Sequence, residues 1–336
     1  MTKINYIEFL LKKGIFTMYS LKQLLDNDYN PTKYIIKDFM LPGAYILAGA
    51  PKCGKSILSV QIATAVANGS EFFNRPANKG VVIYYAFEDR KESFIKKCSN
   101  SMDLSSSVEN IIFSNERKSM DSIFKDVEAL KKQNSSIRLV IIDTLQLSKN
   151  LGDDRLSYGH DYDIIKRAND FAFDNQLCLL FVHHTRKEKA DDPFDAISGT
   201  RGLTGACEGM FVLERKDKFN QVGKLYIQGR SQRDNVITLF FNSSKTIWEY
   251  RDEVATDDGF KLDPILEKVV NLVGDNEWRG SATELASLID YEKGAISLSR
   301  YLAANSETLY YSENIKFQRV RVDSTQRLII LTKIQE

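Results

Sequence analysis

The 336 residues carry 46 lysines and arginines against 45 aspartates and glutamates, a net charge of +1, so no global charge announces a nucleic-acid partner and any such contact must be local. Four widely spaced cysteines, Cys53, Cys98, Cys178 and Cys207, form no C-x-x-C pair, which argues against a zinc site or a disulfide framework and for a reducing compartment. The residues at the amino end, Met1–Asn5, lack signal-peptide character and no apolar run approaches the roughly 18 residues of a membrane span, so a cytoplasmic protein without membrane contact is expected.

Residues 5–27 space apolar side chains at helical intervals, as in Ile7, Leu10, Leu11 and Leu21, Leu24, Leu25. With the turn signal Asn27-Asp28-Tyr29-Asn30-Pro31 they predict a helical lead-in, placed at 1–43. Tyr45–Ala48 reads as a buried strand and Ile57–Ala67 as a helix ending at Asn68-Gly69. Short apolar runs then alternate with helical stretches. Val81–Tyr85 precedes a charged helix around Lys91–Lys97, Leu139–Ile142 follows the amphipathic Ser122–Lys132, and Leu179–Val182 follows Tyr162–Asn175. Continuous apolar strands of this kind are covered on both faces, so the expected fold is α/β, a mostly parallel sheet wrapped by helices. Cys178 and Cys207 sit in apolar surroundings and are expected in the core. The closely spaced runs Met210–Leu213, Lys224–Ile227 and Val236–Phe241 predict added strands joined by hairpins.

Asp252–Gly259 is polar and aperiodic and reads as a linker, which sets a core at 44–251, a linker at 252–260 and a small domain at 261–336. In that last segment Leu262–Val273 is an amphipathic helix, Ser281-Ala282-Thr283-Glu284 matches a capping box opening a second, and Ala295–Asn305 forms a third. Strands Ile315–Val322 and Arg327–Thr332 follow, joined at Asp323–Gln326. The pattern is that of a winged helix-turn-helix. Lys316, Arg319, Arg321, Arg327 and Lys333 are opposed only by Asp323 across 315–333, which suits duplex DNA, although the whole segment balances 10 basic against 11 acidic residues and protein contacts are the alternative.

Chemistry concentrates in Gly49-Ala50-Pro51-Lys52-Cys53-Gly54-Lys55-Ser56, which reads G-x-x-x-x-G-K-[ST] between a strand and a helix. Such a loop turns backbone amides onto phosphate oxygens and adds the positive helix N-terminus. Lys55 would reach the β- and γ-phosphates of ATP and Ser56 would ligate Mg²⁺. Asp143, at the tip of Leu139–Ile142, is the second expected metal ligand. Glu88, beyond Val81–Tyr85, falls at the same strand edge and is the candidate general base, while Asp89 is read as a helix cap. His183-His184 ends another strand; adjacent strand residues point to opposite faces, so at most one can sense the γ-phosphate, and His183 is taken as the candidate.

These strings, with Phe87-Glu88-Asp89, Ile141–Thr144, His183–Lys187, Asp192–Gly199 and Gly202–Ala206, resemble RecA-fold AAA-type ATPases, in particular the plasmid RepA-type hexameric replicative helicases. The likeness covers about residues 20–250. It implies a RecA-like core, ring assembly into a hexamer and ATP-driven translocation on single-stranded DNA, in a protein of a mobile genetic element. The carboxyl-terminal segment resembles modules of phage and plasmid primase-helicases. The resemblance also implies an arginine completing the neighbouring subunit's site; Arg230, after Lys224–Ile227, is the candidate and Arg201 the alternative. Two loops, Ser148–His160 and Arg186–Thr200, could line the pore, the second carrying 3 basic and 4 acidic residues. An ATP-switched DNA-binding regulator or loader and a recombinase-like filament former are the other readings.

Overall fold

The computed structural model describes residues 33–101, 108–134, 136–145, 158–186, 190–198, 201–216, 220–230, 232, 234–255, 262–321 and 327–334, with Leu21. The expected helices within 5–27 otherwise lie outside the described residues. So do the 323–326 turn and most of the 148–160 loop. The chain divides into two compact units, one of 33–260 and one that includes 261–336.

In the first unit, β1 (Gly43–Gly49) leads through the glycine loop into α1 (Lys55–Asn68). Every residue of β1 is buried, as an apolar run without alternation requires of a strand with both faces covered. Gly69 ends α1 in the left-handed region, its amide returning to Ala65 and Val66 carbonyls. A short hairpin of β2 (Glu71–Phe72) and β3 (Arg75–Pro76) precedes β4 (Val81–Ala86) and α2 (Lys91–Ser101). Next come β5 (Ile111–Ser114), α3 (Met120–Gln133), β6 (Ile137–Asp143), α4 (Tyr158–Asn175), β7 (Cys178–His184) and the short α5 (Arg201–Ala206). Four strands complete the unit: β8 (Gly209–Arg215), β9 (Val222–Gly229), β10 (Asn235–Asn242) and β11 (Ile247–Ala255).

The nine-stranded sheet runs β11-β10-β9-β8-β1-β7-β6-β4-β5. From β5 to β8 every neighbouring pair is parallel, and β8 through β11 is antiparallel. One face is covered by α1 and α2, with Leu58, Ile62, Val66 and Phe94 against Leu47, Tyr84, Ile141 and Val182. The other is covered by α3, α4 and α5, with Ile123, Val127, Ile165 and Leu203 against Ile46, Ile83, Ile142 and Phe181. Cys178 and Cys207 are buried. Among the described residues no helix is long and apolar enough to cross a membrane.

Two boundaries differ from the sequence expectation. Residues 33–43 are not helical: Ile36 and Met40 form a bridged turn, and Ile35, Ile36, Phe39 and Met40 are buried in the core beneath α1. The stretch expected as linker begins as strand, because Asp252–Ala255 continue β11 against β10. Glu253 is tied there by both carboxylate oxygens to Arg75, so the acidic composition marks an ion-paired edge.

In the second unit α6 (Pro264–Val273), β12 (Glu277–Ser281), α7 (Ala282–Leu288), α8 (Ala295–Ala304), α9 (Ser306–Glu313), β13 (Ile315–Arg321) and β14 (Arg327–Lys333) enclose a separate core. Ser281 and Glu284 form the reciprocal capping box at the start of α7. The three strands order β12-β14-β13, all antiparallel. β12 and α9 had no sequence signal, since Glu277–Ser281 holds a glycine and charges and α9 abuts α8.

Candidate functional site

The loop Gly49–Ser56 joins the carboxyl end of β1 to the amino end of α1, as a strand–loop–helix phosphate site requires. Lys52 and Gly54 take positive φ of 63° and 108°, which folds the loop over the first turn of α1. Gly49 is tightly fitted too: a Cβ there would stand 2.6 Å from the Leu213 carbonyl and 2.8 Å from Cys53 Sγ. Lys55 is only 6% exposed, and its Nζ donates to the Gly49 and Ala50 carbonyls at 2.8 and 2.9 Å. Burial holds this ammonium below its ordinary lysine range, opposed by Cys53, Asp143 and Glu88 nearby. A buried cation held by neutral carbonyls suits an incoming anion.

Asp143 ends β6 beside Ala86 of β4 and Val182 of β7. Its carboxyl is 4% exposed and points to the α1 face, where it accepts from Tyr84 at 3.2 Å with the Ser56 hydroxyl nearby. Burial raises its pKa; the Ser56 hydroxyl and Lys97 oppose this, while Asp89 and Glu88 add to it. Tyr84 Oη shares a 2.7 Å bond with Ser59 Oγ of α1, so a buried polar chain ties helix to strand. The Ser56 hydroxyl and Asp143 carboxylate thus converge, and this donor pair fits Mg²⁺. Among the described residues no three His, Cys, Asp or Glu side chains could hold a metal together, but Mg²⁺ shared with nucleotide phosphates needs only one or two protein oxygens.

Glu88 lies just past β4, exposed, with Oε1 accepting from Thr144 Oγ1 at 3.4 Å. Asp89 does not take the expected capping role. Its carboxylate accepts from the Ser93 hydroxyl at 3.3 Å and from Lys97, because the turn after β4 aims it back along α2.

The histidines separate as strand geometry demands, but with the opposite assignment to the one expected. His183 faces the α4 side, 4% exposed, with Nε2 donating to the Ser198 carbonyl at 2.7 Å. His184 faces the α1 side, opposite Gly49 in register, with Nδ1 3.4 Å from Lys55 Nζ. Burial and the Lys55 charge lower its pKa. β7 places even-numbered residues on the phosphate-loop face, a parity legible only once its pairing with β1 is known.

Arg230 lies at the other end of the sheet. It follows Gly229, which pairs with Gly209 at the start of β8, and its guanidinium donates to the Gly205 carbonyl at 2.8 Å. It therefore contributes nothing to the phosphate loop of its own chain. Arg201 opens α5. Sequence reasoning missed Arg215, which ends β8 level with the loop and stacks its guanidinium 4.4 Å from the Phe241 ring. It also missed Trp248 of β11, whose Nε1 donates to the Gly54 carbonyl at 3.3 Å. Neither lies in a motif.

Part of the expected 186–200 loop is pinned along the end of β7. Arg186 and Ser198 amides donate to the Ala196 and His184 carbonyls, and Asp192 caps a single turn at Pro193–Ala196. A cavity of about 340 Å³ opens elsewhere, on the flank of α1 between Gln61, Thr64, Phe72, Glu71, Glu249 and Tyr250. It carries carboxylates and no Lys or Arg lines it, so it does not suit phosphate.

Comparison with solved structures gives the same architecture. The chain aligns with an ATPase domain solved by itself at a TM-score of 0.51 and 14% identity, covering 75% of this chain and 100% of that one. It aligns with a DnaB-like replicative helicase, studied with its interactions with primase, at 0.51 and 16% identity, covering 72% and 66%. Likeness at this identity establishes a mixed α/β fold of the RecA-like kind. No curated protein matches the chain. A sequence profile described as the AAA domain matches residues 20–190, about half of the chain and the part that holds the glycine loop, Glu88, Asp143 and His184. The chain belongs to the AAA-domain family.

Proposed function

We propose that this protein is an ATP-hydrolysing DNA translocase, a helicase acting on single-stranded DNA as a hexameric ring in the cytoplasm. The observation that carries the reading is the convergence of Lys55, Ser56, Asp143, Glu88 and His184 at the carboxyl edge of one parallel sheet. Lys55 would leave the Gly49 and Ala50 carbonyls for the β- and γ-phosphates of ATP, and the amides of the loop would face phosphate oxygens. Ser56 and Asp143 would hold Mg²⁺, which when bound neutralises phosphate charge. Glu88, exposed beside Thr144, would orient and deprotonate the attacking water. His184, beside Lys55, takes the phosphate-sensing role expected of His183.

Arg230 faces away from its own loop, a placement in keeping with action on a neighbouring subunit's site. The likeness to a solved ATPase domain and to a DnaB-like replicative helicase supports the helicase reading, and the resemblance to plasmid RepA-type helicases supports a mobile-element source. Residues 261–336 would form a winged helix. In β13 and β14 Arg321 stands opposite Arg327, a like-charged pair at the turn end of the hairpin that suits a phosphate backbone.

That basic hairpin also favours a second reading, an ATP-switched duplex-binding regulator or loader. ATP hydrolysis measured with and without single-stranded DNA, beside a strand-displacement assay, separates the two. Stimulation with unwinding supports the helicase. Duplex binding without unwinding supports the regulator, and open filaments in micrographs would replace the ring with a recombinase-like assembly.

A further inference from the structure

The phosphate loop is braced by a residue 194 positions away in the chain. β11 is the outer strand of the sheet, and an outer strand leaves backbone N–H and C=O groups unpaired along its free side. At Trp248 one side chain of α1 meets both. Gln61 Nε2 donates to the Trp248 carbonyl at 2.8 Å, and Gln61 Oε1 accepts from the Trp248 amide at 2.8 Å. The clamp presses the indole under the loop, where it is 1% exposed.

Gly54 is the N-cap of α1. Its carbonyl accepts from the Ile57 and Leu58 amides at 3.1 and 3.0 Å and from Trp248 Nε1 at 3.3 Å. The contact is close enough that a Cβ on Gly54 would stand 2.7 Å from that nitrogen. The indole is fixed on its other edges as well. A Cβ at Gly223 would meet its ring at 2.8 Å, and Phe241 packs edge-on at 5.1 Å between centroids. The Arg215 guanidinium covers both rings, at 4.4 Å from Phe241 and 5.6 Å from Trp248. The turn before it is also set: Asn242 Oδ1 accepts from the Ser244 and Lys245 amides at 3.1 Å, which holds the register of β11.

A peptide plane is rigid, and in the trans form its C=O and N–H point in opposite directions. Anchoring the Gly54 carbonyl therefore aims the Lys55 amide away from Trp248, outward from the start of α1. That amide is among those a phosphate would meet there. We propose that Trp248, clamped by Gln61, is a positioning residue for nucleotide binding: it fixes the Gly54–Lys55 peptide and so the direction of the amides offered to phosphate. The inference rests on the nucleotide site proposed above.

The protein has two tryptophans, and the other, Trp278, lies in the second unit. In full-length Trp278→Phe protein, emission therefore reports Trp248 alone. Saturable change of that emission on titration with ADP or ATP is expected. Trp248→Phe keeps a ring but loses the donor, and its affinity for a fluorescent ATP analogue should fall about five- to tenfold, the worth of one such bond. Gln61→Ala, which frees the strand without touching the ring, should show a loss of the same order with unchanged far-ultraviolet circular dichroism. It serves as the test if Trp248→Phe does not fold. Wild-type affinity in both variants, or a Trp248 emission indifferent to nucleotide in protein that binds the analogue, overturns the positioning role alone. Absence of any analogue binding by unmodified protein overturns the nucleotide site itself.

Discussion

The Lys55 ammonium stands 3.4 Å from Nδ1 of His184. Two cations cannot share that space cheaply, so the imidazole is held neutral: burial lowers its pKa first and Lys55 second, against the pull of Glu88 and Asp143. This makes His184 a group that feels whether Lys55 is near.

The same pair gives a pH dependence. The folded pKa of His184 is below the unfolded value of about 6.5. Between the two, the unfolded chain binds a proton that the native one refuses, so stability rises with pH through that window and is fully present above about 6.5. Acidification from neutrality should lower the melting temperature, and His184→Gln should flatten the slope just below about pH 6.5. An unchanged slope in the variant would show that other groups carry it.

Lys55→Ala should abolish ATP turnover, a loss on the order of 10²-fold or more, because the contact to the developing phosphate charge disappears. Its thermal stability should hold or rise, since the native state no longer buries an ammonium. Turnover at the wild-type rate would refute the phosphate-loop role.

Glu88→Gln keeps the shape of the side chain and removes the base. Nucleotide binding should persist while hydrolysis falls about 10²–10⁴-fold. Single-turnover hydrolysis beside equilibrium binding of an ATP analogue checks this, and normal hydrolysis would move the role to another residue.

Gly54→Ala faces two penalties, a φ of 108° and a Cβ 2.7 Å from the buried Trp248 Nε1. A destabilisation of about 1–3 kcal/mol is expected in urea unfolding. A smaller loss would mean that the loop can shift away from the indole.

If Arg230 acts on a neighbour, Arg230→Ala subunits should bind ATP yet hydrolyse on the order of 10³-fold less. Mixed with Lys55→Ala subunits they should partly recover, because some interfaces then join an intact loop to an intact arginine. No recovery at any ratio, with subunit exchange verified, would transfer the role to Arg201.

Short-range pattern carried much of this protein. The string Gly49–Ser56 between an apolar strand and a helix, Asp143 at the end of a buried run, and the capping box at Ser281 are local features, each set by neighbours within a few residues. The mostly parallel α/β class followed from continuous apolar strands, for burial on both faces removes the polar alternation. What depended on pairing was out of reach. Which of two adjacent histidines meets Lys55 is decided by the register of β7 on β1. Asp252–Ala255 has the composition of a linker and is strand because β10 and Arg75 hold it there. Trp248 carries no motif and gains its place under Gly54 only when β11, the last strand of the sheet, closes against α1 through Gln61. Backbone chemistry within one loop is written in the residues that form it; contacts between distant segments exist only after the sheet has ordered its strands.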